Sequence, residues 1–219
     1  MRPPVHPMRD LERDDPLWPG QLATLVAIAL FFVLPDTLSL GPRWPLPVLE
    51  LAVLATLMLT RGRPWPPSHR ATTIVLVLVA ALANLVALGL LVRELLSGGH
   101  PAGADLLGGG VVIWATSLLL FAVLYWELDR GGPLRPGGPR AVAAVDFLFP
   151  QMTQDRYGGR GWKPGFADYL YVSLTNQTAF SPTDTMPLTV RAKGLMAVQA
   201  LAAFVTAGVL VAHAVNQLG

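Results

Sequence analysis

DYLYVSLTNQTAFSPTDTMPLTVRAK, Asp168 to Lys193, is the one long run of neutral hydrogen-bonding side chains in an otherwise apolar chain, and an apolar stretch follows it directly. Three structures fit these residues. Tyr169 to Ala179 can form a short helix, with Tyr169, Leu170 and Val172 on apolar surroundings and Ser173, Asn176 and Gln177 at i, i+3, i+4 on one polar face. Thr178 to Asp184 is then irregular. Irregular backbone inside a bilayer survives only where protein or a water-filled cavity satisfies it, which is the geometry of a re-entrant loop. The second structure is a surface loop whose Ser, Thr and Asp side chains make turns and caps. The third is an interfacial amphipathic helix.

The surrounding composition selects a membrane setting. Of the 219 residues, 53% are hydrophobic and 14% charged, and the mean hydropathy is +0.49. A net charge of +2 would suggest nucleic acid in a soluble protein, but these basic residues lie between apolar runs, where they set orientation. Nucleic acid is therefore discounted as a partner. With no cysteine there are no disulfides, thiolate metal sites or cysteine nucleophiles. Fourteen arginines to two lysines, with abundant Ala, Gly, Pro and Val, point to a GC-rich bacterial genome.

Five spans are expected. A polar tail over residues 1–18 leads into the first, 19–40, which Pro35 and Asp36 close near its outer end. The second, 46–60, carries Glu50, which either faces a protein partner or water, or snorkels to the headgroups. The third, 71–92, contains Asn84, read as a hydrogen bond between helices. The fourth, 106–126, opens on Gly108, Gly109 and Gly110, a surface for close packing, and ends on Tyr125 and Trp126 as an aromatic belt. Glu127 and Asp129 with Arg130 then mark the return to water, and as an acid pair for catalysis they are discounted, because residues at i and i+2 share no helix face. In the polar region 129–167, AVDFLFPQM (144–152) is too short to span and suits an interfacial or bundle-plugging role. The polar helix-loop and the final span, 195–215, complete residues 168–219. Gln199 and Thr206 lie within that span, and His213 near its end is expected at the interface.

With residues 168–193 kept on one side, fourteen Lys and Arg fall on one set of segments and only Arg43 and Arg93 on the other. The positive-inside rule then places the N-terminus in the cytoplasm of a multi-pass protein of the bacterial inner membrane. No GxxxxGK[ST], HExxH or GxSxG motif occurs, so no enzyme class, cofactor or metal is indicated.

DFLFPQM, the aromatic Tyr169 to Tyr171, the turn from Thr178 to Asp184, the Arg191 and Lys193 pair, and the terminal Ala214 to Asn216 resemble a widespread family of bacterial membrane proteins bearing a domain of unknown function. The resemblance covers the carboxy-terminal third. More distantly, YLYVSLTNQTAFSPTDTMPLT before an apolar span is similar to the pore helix, filter and inner helix of two-span potassium channels. That similarity matches Thr178 to the filter threonine, Phe180 or Ser181 to its aromatic position, Asp184 to its closing aspartate and Pro187 to the proline beyond. The filter glycines, which let backbone carbonyls line the ion path, are absent here, and the region holds one residue more. A potassium-type pore loop also enters from outside, whereas the arginine count places this one inside.

The expectation is thus an all-α, polytopic transmembrane helix bundle of about five spans with a polar, re-entrant helix-loop before the last. Its function is read as channel-like or transporter-like for ions or small solutes, with Asn176, Gln177, Thr178, Ser181, Thr183 and Asp184 forming the polar site. Glu50, Asn84 and Gln199 are secondary intramembrane polar positions. The partners are the lipid bilayer and further copies of the chain, since a simple pore needs several subunits. The competing expectation is a non-transporting membrane protein whose cytoplasmic loop docks a partner or stabilises an assembly.

Overall fold

Proline sets the limits of the first helix, α1 (Trp18–Val33). Pro19 occupies its first turn, where the missing N–H has no intrahelical partner to lose, and Pro35 forces Leu34 into extended backbone at φ −63°, ψ 133°. A single 3-10 turn, Asp36–Leu38, follows. At about 1.5 Å per residue, α1 is about 24 Å long, short of the ~30 Å hydrocarbon layer. The computed structural model describes residues 16–39, 48, 51, 67–97, 103–129, 145–154, 162–178 and 184–216. The expected tail, the second span apart from Val48 and Leu51, Glu50, and residues 179–183 with Ser181 and Thr183 lie outside them.

Among the described residues the fold is an all-α bundle with one two-stranded pairing. The remaining helices are α2 (Pro67–Leu96), α3 (Gly103–Leu128), α4 (Phe166–Gln177) and α5 (Val190–Asn216). Three of them contain stretches long and apolar enough to cross a membrane, namely Ala71–Leu96, Asp105–Leu128 and Val190–Val215. These are the marks of an integral membrane protein.

Helix α3 is the axis of the bundle, touched by all four other helices. That corrects the aromatic belt, because Tyr125 is 0% and Trp126 5% exposed, and both belong to the core. Trp126 fits because Gly20 of α1 lies against its ring, where a methyl group would collide. At the opposite end of α3, Cβ atoms on Gly109 and Gly110 would lie 2.5 Å from Leu38 and Leu210, whereas Gly108 faces open space. Two of the three glycines therefore serve close packing. These contacts orient the helices: α1 and α5 run antiparallel to α3. Asn84 of α2 donates to the Ile113 carbonyl at 3.1 Å, and Leu88 and Leu91 cluster with Leu38 and Leu106. So α2 also runs antiparallel to α3.

The described part of the polar stretch up to Gln177 is a helix packed along α3. Helix α4 begins where α3 ends, with Phe166 edge-on to Trp126 at 5.4 Å. The N–H of its cap, Gly165, donates to the Asp168 carboxylate at 2.8 Å, half of a capping box. From there α4 runs back along α3: Tyr169 meets Asp129, Ser173 meets the Leu118 carbonyl, and Gln177 meets the Trp114 carbonyl. Trp114 is fourteen residues before Leu128, about 21 Å along α3. Yet by Met186 the chain is back at the starting end. There β2 (Met186–Pro187) pairs antiparallel with β1 (Phe147–Leu148), with Leu148 opposite Met186 and Phe147 opposite Pro187. The start of α4 and β2 thus lie at the same end of the bundle. The apolar island around β1 takes the plugging role, since Phe147 and Phe149 are 1% and 3% exposed and pack edge-on to Tyr125 and Tyr169.

Candidate polar site

Gln199 on α5 is the hub of the buried polar groups. Its Nε2 donates to Ser173 Oγ at 2.7 Å and Gln177 Oε1 at 3.0 Å, with the Ser173 carbonyl at 3.2 Å. Its Oε1 accepts from Tyr125 Oη at 2.6 Å and Asn176 Nδ2 at 2.9 Å. An amide has two hydrogens and two lone pairs, so Gln199 is saturated. Its partners are tied onward: Ser173 Oγ donates to Leu118 O at 2.8 Å, Gln177 Nε2 to Trp114 O at 2.6 Å, and Asn176 Nδ2 to Met196 O at 3.0 Å. Tyr125, Ser173 and Gln199 are each 0% exposed. A satisfied network of this kind fixes one arrangement of three helices, because any rearrangement leaves an orphan in a low-dielectric interior.

The helical period explains the convergence. Gln199, Ala203, Thr206 and His213 of α5 are all buried, at offsets of 4, 7 and 14 residues, so one face looks into the bundle for four turns. That face also corrects the expectation for His213. It is 6% exposed, and among the described residues its Nε2 has no hydrogen-bond partner.

Of the six predicted site residues, Asn176 and Gln177 come together on Gln199, and their amide hydrogens are directed into the bundle. Thr178 caps α4, donating to Leu174 O at 2.8 Å. Asp184 is exposed at the end of the bundle, beside buried Thr185. Ser181 and Thr183 lie outside the described residues. Gln199 joins the site, while Asn84 bonds separately between α2 and α3.

A second polar cluster closes the same end. Asp129, expected at a solvated boundary, is 1% exposed: Oδ1 accepts from Asp146 N at 2.6 Å and Oδ2 from Tyr169 Oη at 2.7 Å. The Asp146 carboxylate, 2% exposed, is paired with Arg191 and accepts from Thr189 Oγ1. Arg191 also donates to Leu128 O at 3.0 Å, and Leu188 N donates to Asp146 O at 2.8 Å. The end of α3, the β1 segment, the start of α4 and the start of α5 are thus tied together. The expected solvated boundary is therefore corrected at Asp129, which the segment before β1, seventeen residues on, and Tyr169 of α4 cover together. Among the described residues no group of three His, Asp or Glu side chains converges in a way that would hold a metal ion.

Compared with known protein families, curated proteins and solved structures, the chain gives no match.

Proposed function

We propose that this protein is a channel-like or transporter-like subunit of the bacterial inner membrane, in which several copies surround a polar path built on the re-entrant segment. The observation that carries this reading is that α4 runs along α3 as far as Trp114, while Met186, nine residues after Gln177, is at the end where α4 began. Backbone at that depth needs protein or water to satisfy it, and a polar path supplies the water. In this reading Asn176 and Gln177, with Gln199, position the segment. Thr178, Ser181, Thr183 and Asp184 line the path. The basic segments cluster at the Asp129 end, so the positive-inside rule puts that end, with the N-terminus, in the cytoplasm.

Saturation of Gln199 favours a second reading, a non-transporting protein whose polar core only holds an assembly together. Reconstitution separates the two. Liposomes containing the full chain should pass small cations or solutes, with flux altered by T178V and D184N. Absence of flux from protein that remains folded and oligomeric would leave the assembly reading.

A further inference from the structure

A serine or threonine hydroxyl inside a helix ordinarily donates to the carbonyl three or four residues before it. Thr24, Thr175 and Thr206 follow that habit, at 2.9 Å to Gly20 O, 2.9 Å to Tyr171 O and 2.8 Å to Ala202 O. Ser117 of α3 does not. It is 4% exposed, and among the described residues its Oγ has no hydrogen-bond partner. The reason lies in its two local acceptors. Ile113 O accepts from Asn84 Nδ2 of α2 at 3.1 Å, and Trp114 O accepts from Gln177 Nε2 of α4 at 2.6 Å. Each of these carbonyls also takes the helical N–H four residues on, and a carbonyl has two lone pairs. Both are therefore full, and the neighbouring helices displace the Ser117 hydroxyl from its own backbone.

Of the two occupants, Gln177 is the one placed to leave. Asn84 stands in the interior of the long helix Pro67–Leu96, whereas Gln177 is the last residue of the twelve-residue α4, and helix ends open first. Its departure also orphans nothing in the rest of the bundle. Gln199 Nε2 has two hydrogens and three acceptors, Ser173 Oγ at 2.7 Å, Gln177 Oε1 at 3.0 Å and Ser173 O at 3.2 Å. Without Gln177 both hydrogens keep an acceptor on Ser173. Trp114 O keeps its helical donor and gains Ser117, so one buried hydroxyl is satisfied. We infer that Ser117 is a standby donor for the Trp114 carbonyl, and that α4 has a second position. In it the last turn has withdrawn, Ser117 holds Trp114 O, and the Gln177 amide faces water. The exchange is a conformational device at the Trp114 end of α4 and holds whether or not the protein conducts.

Hydrogen–deuterium exchange of the full chain in detergent, read by mass spectrometry over residues 174–178, tests it. Ser117→Ala removes a donor that only the withdrawn position satisfies. Exchange over 174–178 should therefore slow at least about five-fold, with α3 peptides unchanged and the thermal unfolding midpoint no lower. In Gln177→Leu the Trp114 carbonyl is open to Ser117 from the outset, so adding S117A should change exchange by less than about two-fold. Unchanged exchange in S117A, the result expected if an ordered water already satisfies the hydroxyl, would overturn the assignment. So would faster exchange, a lower midpoint, slowing shared by α3, or the same slowing with and without Gln177.

Discussion

The Tyr169 hydroxyl donates to Asp129 Oδ2 across 2.7 Å, joining the start of α4 to the residue that follows the central helix. Asp129 also accepts from the Asp146 N–H, so its loss strands donors on two elements. Orphaning a buried donor costs about 1–3 kcal/mol. Asp129→Ala is therefore expected to destabilise by about 3 kcal/mol, and Tyr169→Phe, which leaves Asp129 its backbone donor, by about 1 kcal/mol. Reversible unfolding in mixed micelles measures both, and equal effects would disprove this ordering.

Gln199 offers a sharper contrast. A single hydrogen bond between membrane helices averages only about 0.6 kcal/mol, so Tyr125→Phe, which leaves Gln199 Oε1 bonded to Asn176, should cost less than about 1 kcal/mol. Gln199→Leu strands Tyr125 Oη, Gln177 Oε1 and a hydrogen of Asn176 together, and should cost at least about 2 kcal/mol. Comparable losses in the two variants would show that the network is a set of independent pairs.

The absence of cysteine makes re-entrance directly measurable, since each introduced thiol is the only one in the chain. Cysteines at Lys163 and Asp184 should both react with a membrane-impermeant maleimide, and from the same side. Gln177→Cys, buried at the level of Trp114, should resist in folded protein. Labelling of positions 163 and 184 from opposite sides would mean that the segment crosses.

Gly20 has no room for a side chain beside Trp126. Gly20→Ala is expected to cost about 1–3 kcal/mol through overpacking. Because the obstacle is one ring, Trp126→Leu should absorb part of that penalty, giving a coupling of at least about 0.5 kcal/mol in a double-mutant cycle. Additive effects would place the strain elsewhere.

The helical class and three long apolar spans were legible because each depends on local periodicity or composition, whereas the polar segment left three courses open. The site was legible only in part. Asn176 and Gln177 announce themselves as amides in an apolar chain, and Gln199 as a lone amide in a span. That they meet depends on α4 and α5 flanking α3, which no local pattern encodes. Acids and aromatics at a span's end normally sit at the interface, but here the DFLF segment covers Tyr125 and Asp129, and Gly20 and Phe166 cover Trp126. His213 could have been placed by extending the Gln199, Ala203, Thr206 face two further turns.

The pairing of Phe147 and Leu148 with Met186 and Pro187 also bears on how the molecule is made. Helix α4 is too short and too polar to remain in a bilayer unaided, and its anchors lie on both sides of it in the chain. Asp129 and the β1 segment emerge from the ribosome first, while Gln199 emerges more than twenty residues after Asn176. During synthesis the segment must therefore stay at the surface or in the insertion machinery until the last helix arrives. Its burial is a late event of biogenesis, and chains ending before Gln199 should leave it open to protease.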